Sequence, residues 1–390
     1  MSRAFVNPLV KNVPPSGIRR FFDIAGTMKD AISLGVGEPD FVTPYHIRNA
    51  AMDSLLDGET QYTPNRGLPA LLQEIGKYLE VRFQASYDAE KEIMVTVGAS
   101  EGIDLALRAC IQPGDDVLVP DPGYVSYAPC VAFSGGRAVP VVTRAEDQFR
   151  MTEEVLENAI TPKCTTLILP YPNNPTGAVM SREDLLAVAR FAQRYDLLVI
   201  SDEIYGELVY EGEHTCFAAL PGMKERTVLL NGFSKAFAMT GWRLGFACAP
   251  REILSQMNKI HQYTIMCASR QAQVAGLQAL RRGLENGFED VMQMRESYNR
   301  RRRVMLDAFR KMGLDCFEPK GAFYCFPSIK ATGLTSEEFC TRLLQQEKVV
   351  CVPGDAFGAS GKGHIRCCYA TDMRQMLEAF ERMQRFVTSL

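Results

Sequence analysis

The sequence predicts an α/β protein, a mainly parallel seven-stranded sheet sandwiched by helices, joined to a smaller α+β domain. Three observations carry this. Short apolar runs alternate with amphipathic stretches through the middle of the chain, turns rich in glycine, proline and small residues follow several runs, and the pattern changes after about residue 283. At 390 residues the chain exceeds the size at which a single core keeps growing, so it is expected to divide in two.

The runs Glu92–Val97, Asp116–Pro120, Ala138–Val142, Thr165–Leu169, Leu197–Ser201, Thr227–Asn231 and Leu244–Ala249 read as buried strands. Between them lie helical patterns such as Ser100–Cys110 and Ser181–Tyr195, with Ser100 and Ser181 placed to cap them. Strand and helix in alternation imply parallel strands covered on both faces. Beyond residue 283, Phe288, Val291, Met292, Tyr298, Met305, Phe309 and Met312 recur at helical spacing, which predicts a long helix leaving the large domain. Strands are expected near Gly321–Phe326, Val349–Val352 and His364–Tyr369, then a closing helix from about Asp372. The division expected is 46–285 for the large domain, and 1–45 with 286–390 for the small domain and its N-terminal arm.

Composition excludes several function classes. The net charge of -3 gives no field for nucleic acid or anionic lipid. No apolar run approaches the length of a membrane span and no targeting signal opens the chain, so a cytoplasmic protein is expected. The twelve cysteines are scattered without a CxxC, and the four histidines are dispersed, so most thiols read as small buried hydrophobes and no metal site is expected. Arg300–Arg303 cannot form one basic stripe on a helix; Arg302, in line with Tyr298 and Met305, is expected to meet a carboxylate or to cover a domain interface.

One stretch stands out for its chemistry, and three further motifs fall where strands end, the place where open α/β sheets collect ligands. In Ser234-Lys235 through Thr240-Gly241-Trp242-Arg243-Leu244-Gly245, a lysine that can form a Schiff base stands eight residues before an arginine suited to phosphate. In Ser201-Asp202-Glu203-Ile204-Tyr205, Asp202 leaves the core at the crevice and either caps the next turn or meets a cation. In Tyr171-Pro172-Asn173-Asn174-Pro175-Thr176-Gly177, a stiff turn presents the Asn174 amide, although a tight turn needs no ligand. In Val97-Gly98-Ala99-Ser100-Glu101-Gly102, a helix N-terminus offers N–H groups to an anion, a common arrangement taken alone.

Taken together and in this order, Asn174-Pro175-Thr176-Gly177, Ser201 to Tyr205 and Ser234 to Gly245 resemble the class I, or fold-type I, aminotransferases that use pyridoxal 5'-phosphate, in the aspartate and aromatic subgroup. The resemblance runs from Ser33-Leu34-Gly35-Val36-Gly37-Glu38-Pro39-Asp40 to His364-Ile365-Arg366. It implies that Lys235 forms the Schiff base and shuttles the proton, that Asp202 pairs with the pyridinium, and that Asn174 and Tyr205 bond the ring's phenolic oxygen. Arg243, Ala99 and Ser100, with Ser234 beside them, would hold the phosphate, and Tyr124 would stack on the ring. Tyr62 would be lent to the neighbouring subunit's phosphate, which implies a homodimer with shared sites. Arg366 and the backbone of Gly37 would bind the substrate α-carboxylate. The implied reaction moves an amino group from an L-amino acid to a 2-oxo acid, 2-oxoglutarate in this reading, by a ping-pong cycle.

The chain departs from acid-specific members at two places. Those members carry a lysine at the position of Ser100, or an arginine in the segment aligned with Gln262–Met266, and this chain has neither. Arg19, on an N-terminal segment that folds over the site in relatives, could supply a cation or could lie on the surface. The expected donors are therefore neutral or aromatic amino acids. A β-lyase acting on sulfur amino acids is the alternative for the same cofactor. A regulatory binding module is the more distant alternative, set back by how few residues precede Ser33.

Overall fold

The computed structural model describes residues 5–15, 17, 28 and 30–390. Among them the strands are β1 (Ile32–Ser33), β2 (Ile93–Thr96), β3 (Asp116–Asp121), β4 (Arg137–Val142), β5 (Cys164–Leu169), β6 (Leu198–Asp202), β7 (Thr227–Gly232), β8 (Gly245–Cys248), β9 (Tyr324–Cys325), β10 (Val349–Val350), β11 (Val352–Pro353) and β12 (Ile365–Cys368). Strands β2 to β8 form one seven-stranded sheet in the order β2-β8-β7-β6-β5-β3-β4. The mainly parallel sheet is as expected. Only β8 is reversed, antiparallel to both β2 and β7.

That one reversal matters for position. Gly245, the first residue of β8, pairs with Thr96 and with Gly232, the last residues of β2 and β7. The loop entering β8 thus lies at the edge where the parallel strands end.

The apolar runs are continuous because both faces of the sheet are covered. Leu118, Leu167, Leu169 and Val199 pack with the helix Arg182–Arg194, whereas Val117, Val119, Ile168 and Ile200 pack with the helix Gly98–Cys110. Neighbouring residues go to opposite cores, as the twofold period of a strand requires. The edge strand β4 has most of its residues partly or fully exposed.

Side chains cap several of the described helices, at Thr152, Ser181, Ser269, Thr335 and Asp372 among others, whereas the rest begin without one. Ser181 accepts from the Asp184 N–H at 3.1 Å while the Asp184 carboxylate accepts from the Ser181 N–H at 3.0 Å, a full capping box. Ser100, expected to play the same part, does not: the helix starts at Gly98, with Val97 in the cap position and its N–H bonded to the Glu101 carboxylate at 2.5 Å. The helix thus begins two residues earlier than the hydroxyl signal placed it, leaving Ser100 inside the first turn and exposed.

The predicted long helix is Glu289–Met312, and it buries Val291, Tyr298, Met305, Phe309 and Met312 as expected. Met292 lies off that stripe and is exposed; Met294 takes its place in the core. Arg302 is 3% exposed and meets the carboxylates of Glu211 at 3.0 Å and Glu318 at 3.1 Å, in keeping with the expected pairing. Around this helix, β1 pairs with β10 and the sheet β11-β12-β9 forms, and the closing helix Met373–Thr388 begins after Asp372, whose side chain caps it.

Seven of the twelve cysteines are buried and act as small apolar side chains in these cores. No helix among the described residues is long and apolar enough to cross a membrane.

Candidate active site

A cleft of about 400 Å³ opens where β2, β3, β5, β6 and β7 end, and its walls hold the predicted motifs. Ala99, Ser100, Tyr124, Asn174, Asp202, Tyr205, Ser234, Lys235, Arg243, Gly37 and Arg366 all line it. Strand ends explain the convergence: Asp202 closes β6, Asn174 follows β5, Lys235 follows β7, and Arg243 precedes the reversed β8.

One predicted position stands apart. Tyr62 is 77% exposed and does not line the cleft of its own chain. In the Gln262–Met266 segment, Tyr263 is likewise exposed. Arg19 lies outside the described residues.

Lys235 places its amine at the cleft floor, donating to the Gly37 carbonyl oxygen at 2.6 Å. The Tyr205 and Phe323 rings flank it at 5.7 and 5.5 Å. Burial disfavours the ammonium, with Arg366 and Arg243 adding to the effect, and lowers its pKa to about 8. About a tenth of the amine is therefore neutral at pH 7, far more than for an unburied lysine, and a nucleophilic lysine needs that form.

Asp202 is buried and pairs with no cation among the described residues. Its carboxylate accepts from the Tyr127 hydroxyl at 2.8 Å and the Ile204 N–H at 3.3 Å. Burial raises its pKa and the Tyr127 bond works against that rise. A carboxylate so placed is stabilised by any cation delivered into the cleft.

Arg366 is buried without a carboxylate. One guanidinium nitrogen donates to Asn174 Oδ1 at 2.8 Å, another to the Gly35 carbonyl at 2.6 Å, and Nε has no partner. Its plane lies between the Tyr324 and Phe357 rings, at 4.4 and 4.8 Å. The bond to Oδ1 also orients the Asn174 amide, leaving its nitrogen as the donor.

At the other end of the cleft, Arg243 adopts a left-handed φ of 51° and donates to the Thr240 carbonyl at 3.1 Å. Its guanidinium lies against Gly98, where a Cβ would collide with it, and Gly98 itself has φ +74°. Gly245 is held to glycine in the same way, since a Cβ there would lie 2.6 Å from the Ala99 nitrogen. Arginine and helix N-terminus thus face one point, an anion site built from a charge and orphan N–H groups.

Sequence reasoning missed Tyr127, Tyr324, Gly98 and Gly245. Tyr127 and Tyr324 lie 75 and 119 residues from the partners their hydroxyls meet, so no local pattern marks them. The two glycines sat within motifs already singled out, and the tight Gly-Ala-Ser turn was the available signal.

The model of the family "Aminotransferase class I and II" matches residues 29–383. The chain is 47% identical to an aspartate aminotransferase of Pyrococcus abyssi, with 96% of each chain covered. It is 44% identical to aromatic-amino-acid aminotransferase 2 of Thermococcus litoralis, again over 96% of each. The solved structure of the Thermus thermophilus aspartate aminotransferase with maleate superposes with a TM-score of 0.94 at 37% identity, covering 98% of this chain and 100% of that one.

Proposed function

Because the chain belongs to the class I and II aminotransferases, enzymes that depend on pyridoxal phosphate, we propose that it transfers the amino group of a neutral or aromatic L-amino acid to 2-oxoglutarate in two half-reactions at this cleft. The cleft suits the cofactor on its own evidence: an anion site at Arg243 and the helix N-terminus, a buried carboxylate lacking a cation at Asp202, and a partly neutral amine at Lys235. When bound, the cofactor supplies an aldehyde that condenses with amines and a cationic ring that accepts electron density from Cα.

The rest is done by the chain. Lys235, its amine buried at the cleft floor, would hold the cofactor's aldehyde and serve as the general base and then the general acid for the substrate Cα proton. Asp202, fixed by Tyr127, would pair with the ring nitrogen and favour its protonated form through charge. Asn174 and Tyr205 would donate to the ring oxygen, Tyr124 would cover the ring face, and Arg243 with Ala99, Ser100 and Ser234 would anchor the phosphate, all of them residues of the cleft wall. Arg366 receives the α-carboxylate of donor and acceptor alike, with the Gly37 backbone on the other side. The observation that carries this reading is the buried, carboxylate-free Arg366 sharing a cleft with the low-pKa amine of Lys235.

Donor preference rests on charge. Among the described residues the cations lining the cleft are Lys235, Arg243 and Arg366, each already given a role, so none remains for a distal carboxylate. Tyr62, exposed and away from its own cleft, is proposed to complete the phosphate site of a second copy, making the enzyme a homodimer. A cytoplasmic location and the division at 46–285 belong to the same proposal.

The test is a panel of amino acids with 2-oxoglutarate and purified protein loaded with pyridoxal phosphate. Alanine, leucine and phenylalanine are expected to turn over. Aspartate preferred by orders of magnitude would overturn the donor assignment, and pyruvate with ammonia formed without any acceptor would indicate a lyase instead.

A further inference from the structure

We propose that Tyr324 is a positioning residue that ties the α-carboxylate arginine to the hydrogen bond on the cofactor's ring oxygen. The inference rests on the assignment of Arg366 and Tyr205 above. Tyr324 on β9 lies opposite Cys368 on β12, and Arg366 is two residues before Cys368, so the pleat puts Tyr324 and Arg366 on one face of the small sheet. There the guanidinium carbon stands 4.4 Å from the Tyr324 ring centroid.

The other end of the same side chain reaches Tyr205, with the two hydroxyl oxygens 2.8 Å apart. Tyr324 is 1% exposed, and its hydroxyl reaches so near the Gly37 loop that a Cβ at Gly37 would collide with it. Cys368 and Tyr124 are further titratable groups acting on it.

A phenol hydroxyl has one proton to give. If Tyr324 donates to Tyr205, the Tyr205 proton is directed to the ring oxygen, and a chain of two such bonds polarises both members. A guanidinium over the Tyr324 ring draws electron density from it and makes its hydroxyl the stronger donor. The carboxylate site and the ring-oxygen site are thus joined by one buried side chain.

The test uses the holoenzyme and reads the visible absorbance of the lysine-bound cofactor against pH, then its response to 3-phenylpropionate, a carboxylate with no amine. Tyr324→Phe removes only the hydroxyl. With Tyr205 donating less strongly, the ring oxygen keeps more negative charge and holds the proton on the adjacent nitrogen to higher pH. The midpoint is expected to rise by about half a unit or more, with 3-phenylpropionate binding kept within about twofold. Tyr324→Leu also removes the ring under Arg366, and should weaken 3-phenylpropionate by about threefold or more besides.

A Tyr324→Phe midpoint within about 0.2 units of the wild type would overturn the hydroxyl link. Tyr324→Leu binding 3-phenylpropionate as tightly as the wild type would overturn the link to Arg366. If the wild type itself formed no visible band with pyridoxal phosphate, the cofactor assignment would fall and the proposal with it, an outcome distinct from a silent Tyr324.

Discussion

The lysine at the cleft floor is costly to fold around before cofactor binds. Its pKa is lowered to about 8 by burial, against about 10.4 for an unburied lysine. Between those values the unfolded chain holds a proton that the folded chain has lost, so stability rises with pH across that window. The penalty is full below about pH 8 and fades as pH approaches 10.4. Lys235→Met apoprotein should therefore be more stable than wild-type apoprotein at pH 7 by about 1–3 kcal/mol, the lost bond to Gly37 offsetting part. Denaturant unfolding at pH 7 and pH 10 checks this; a gain that stayed constant across the two would contradict the burial argument. The same residue was legible in the sequence, as were Asp202, Asn174 and Arg243, because each stands in a short motif beside its strand end, whereas Arg366, inside β12, was reached only through the family resemblance. Tyr127 and Tyr324 were not, because what makes them part of the site is a contact with a distant segment and not the company they keep in sequence.

At the level of elements, the turn from β2 into the helix Gly98–Cys110 has two requirements that can be separated from helix stability in general. Gly98 combines a positive φ with contact against the Arg243 guanidinium, so Gly98→Ala strains the backbone and displaces the arginine together. The expected result is a loss of about 1–2 kcal/mol of apoprotein stability and about tenfold or more in pyridoxal phosphate affinity. Ser181→Ala supplies the contrast: removing one half of a capping box should cost about 1 kcal/mol while leaving cofactor affinity unchanged. Thermal unfolding and cofactor titration of both variants decide the matter, and equal cofactor affinity in the two would sink the role given to Gly98. The elements themselves were readable wherever burial on both faces made the strands uniformly apolar. The reversal of β8 was not, since an apolar run carries no direction, and the Ser100 cap failed because the helix starts at Gly98, whose positive φ begins the turn ahead of the hydroxyl.

For the whole molecule, the surface raises a question that one chain cannot answer by itself. Tyr62 is 77% exposed, and Val42, Tyr45 and Leu56 are exposed at 72, 67 and 85% on neighbouring parts of the chain, more apolar surface than an isolated helix face needs. A second copy that buried this surface would bring Tyr62 to the phosphate site at Arg243. That arrangement makes a sharp prediction for mixed subunits. Lys235→Ala chains cannot turn over, and Tyr62→Phe chains should bind cofactor about tenfold more weakly, so each is nearly silent at limiting pyridoxal phosphate. In a hybrid of the two, the chain that keeps Lys235 receives an intact Tyr62 from its neighbour and regains a complete site. Equal mixing gives hybrids as half of the dimers with one complete site each, so activity should recover to about a quarter of wild type. If Tyr62 served its own chain, no combination would hold a complete site, and the mixture would show only the average of its parents.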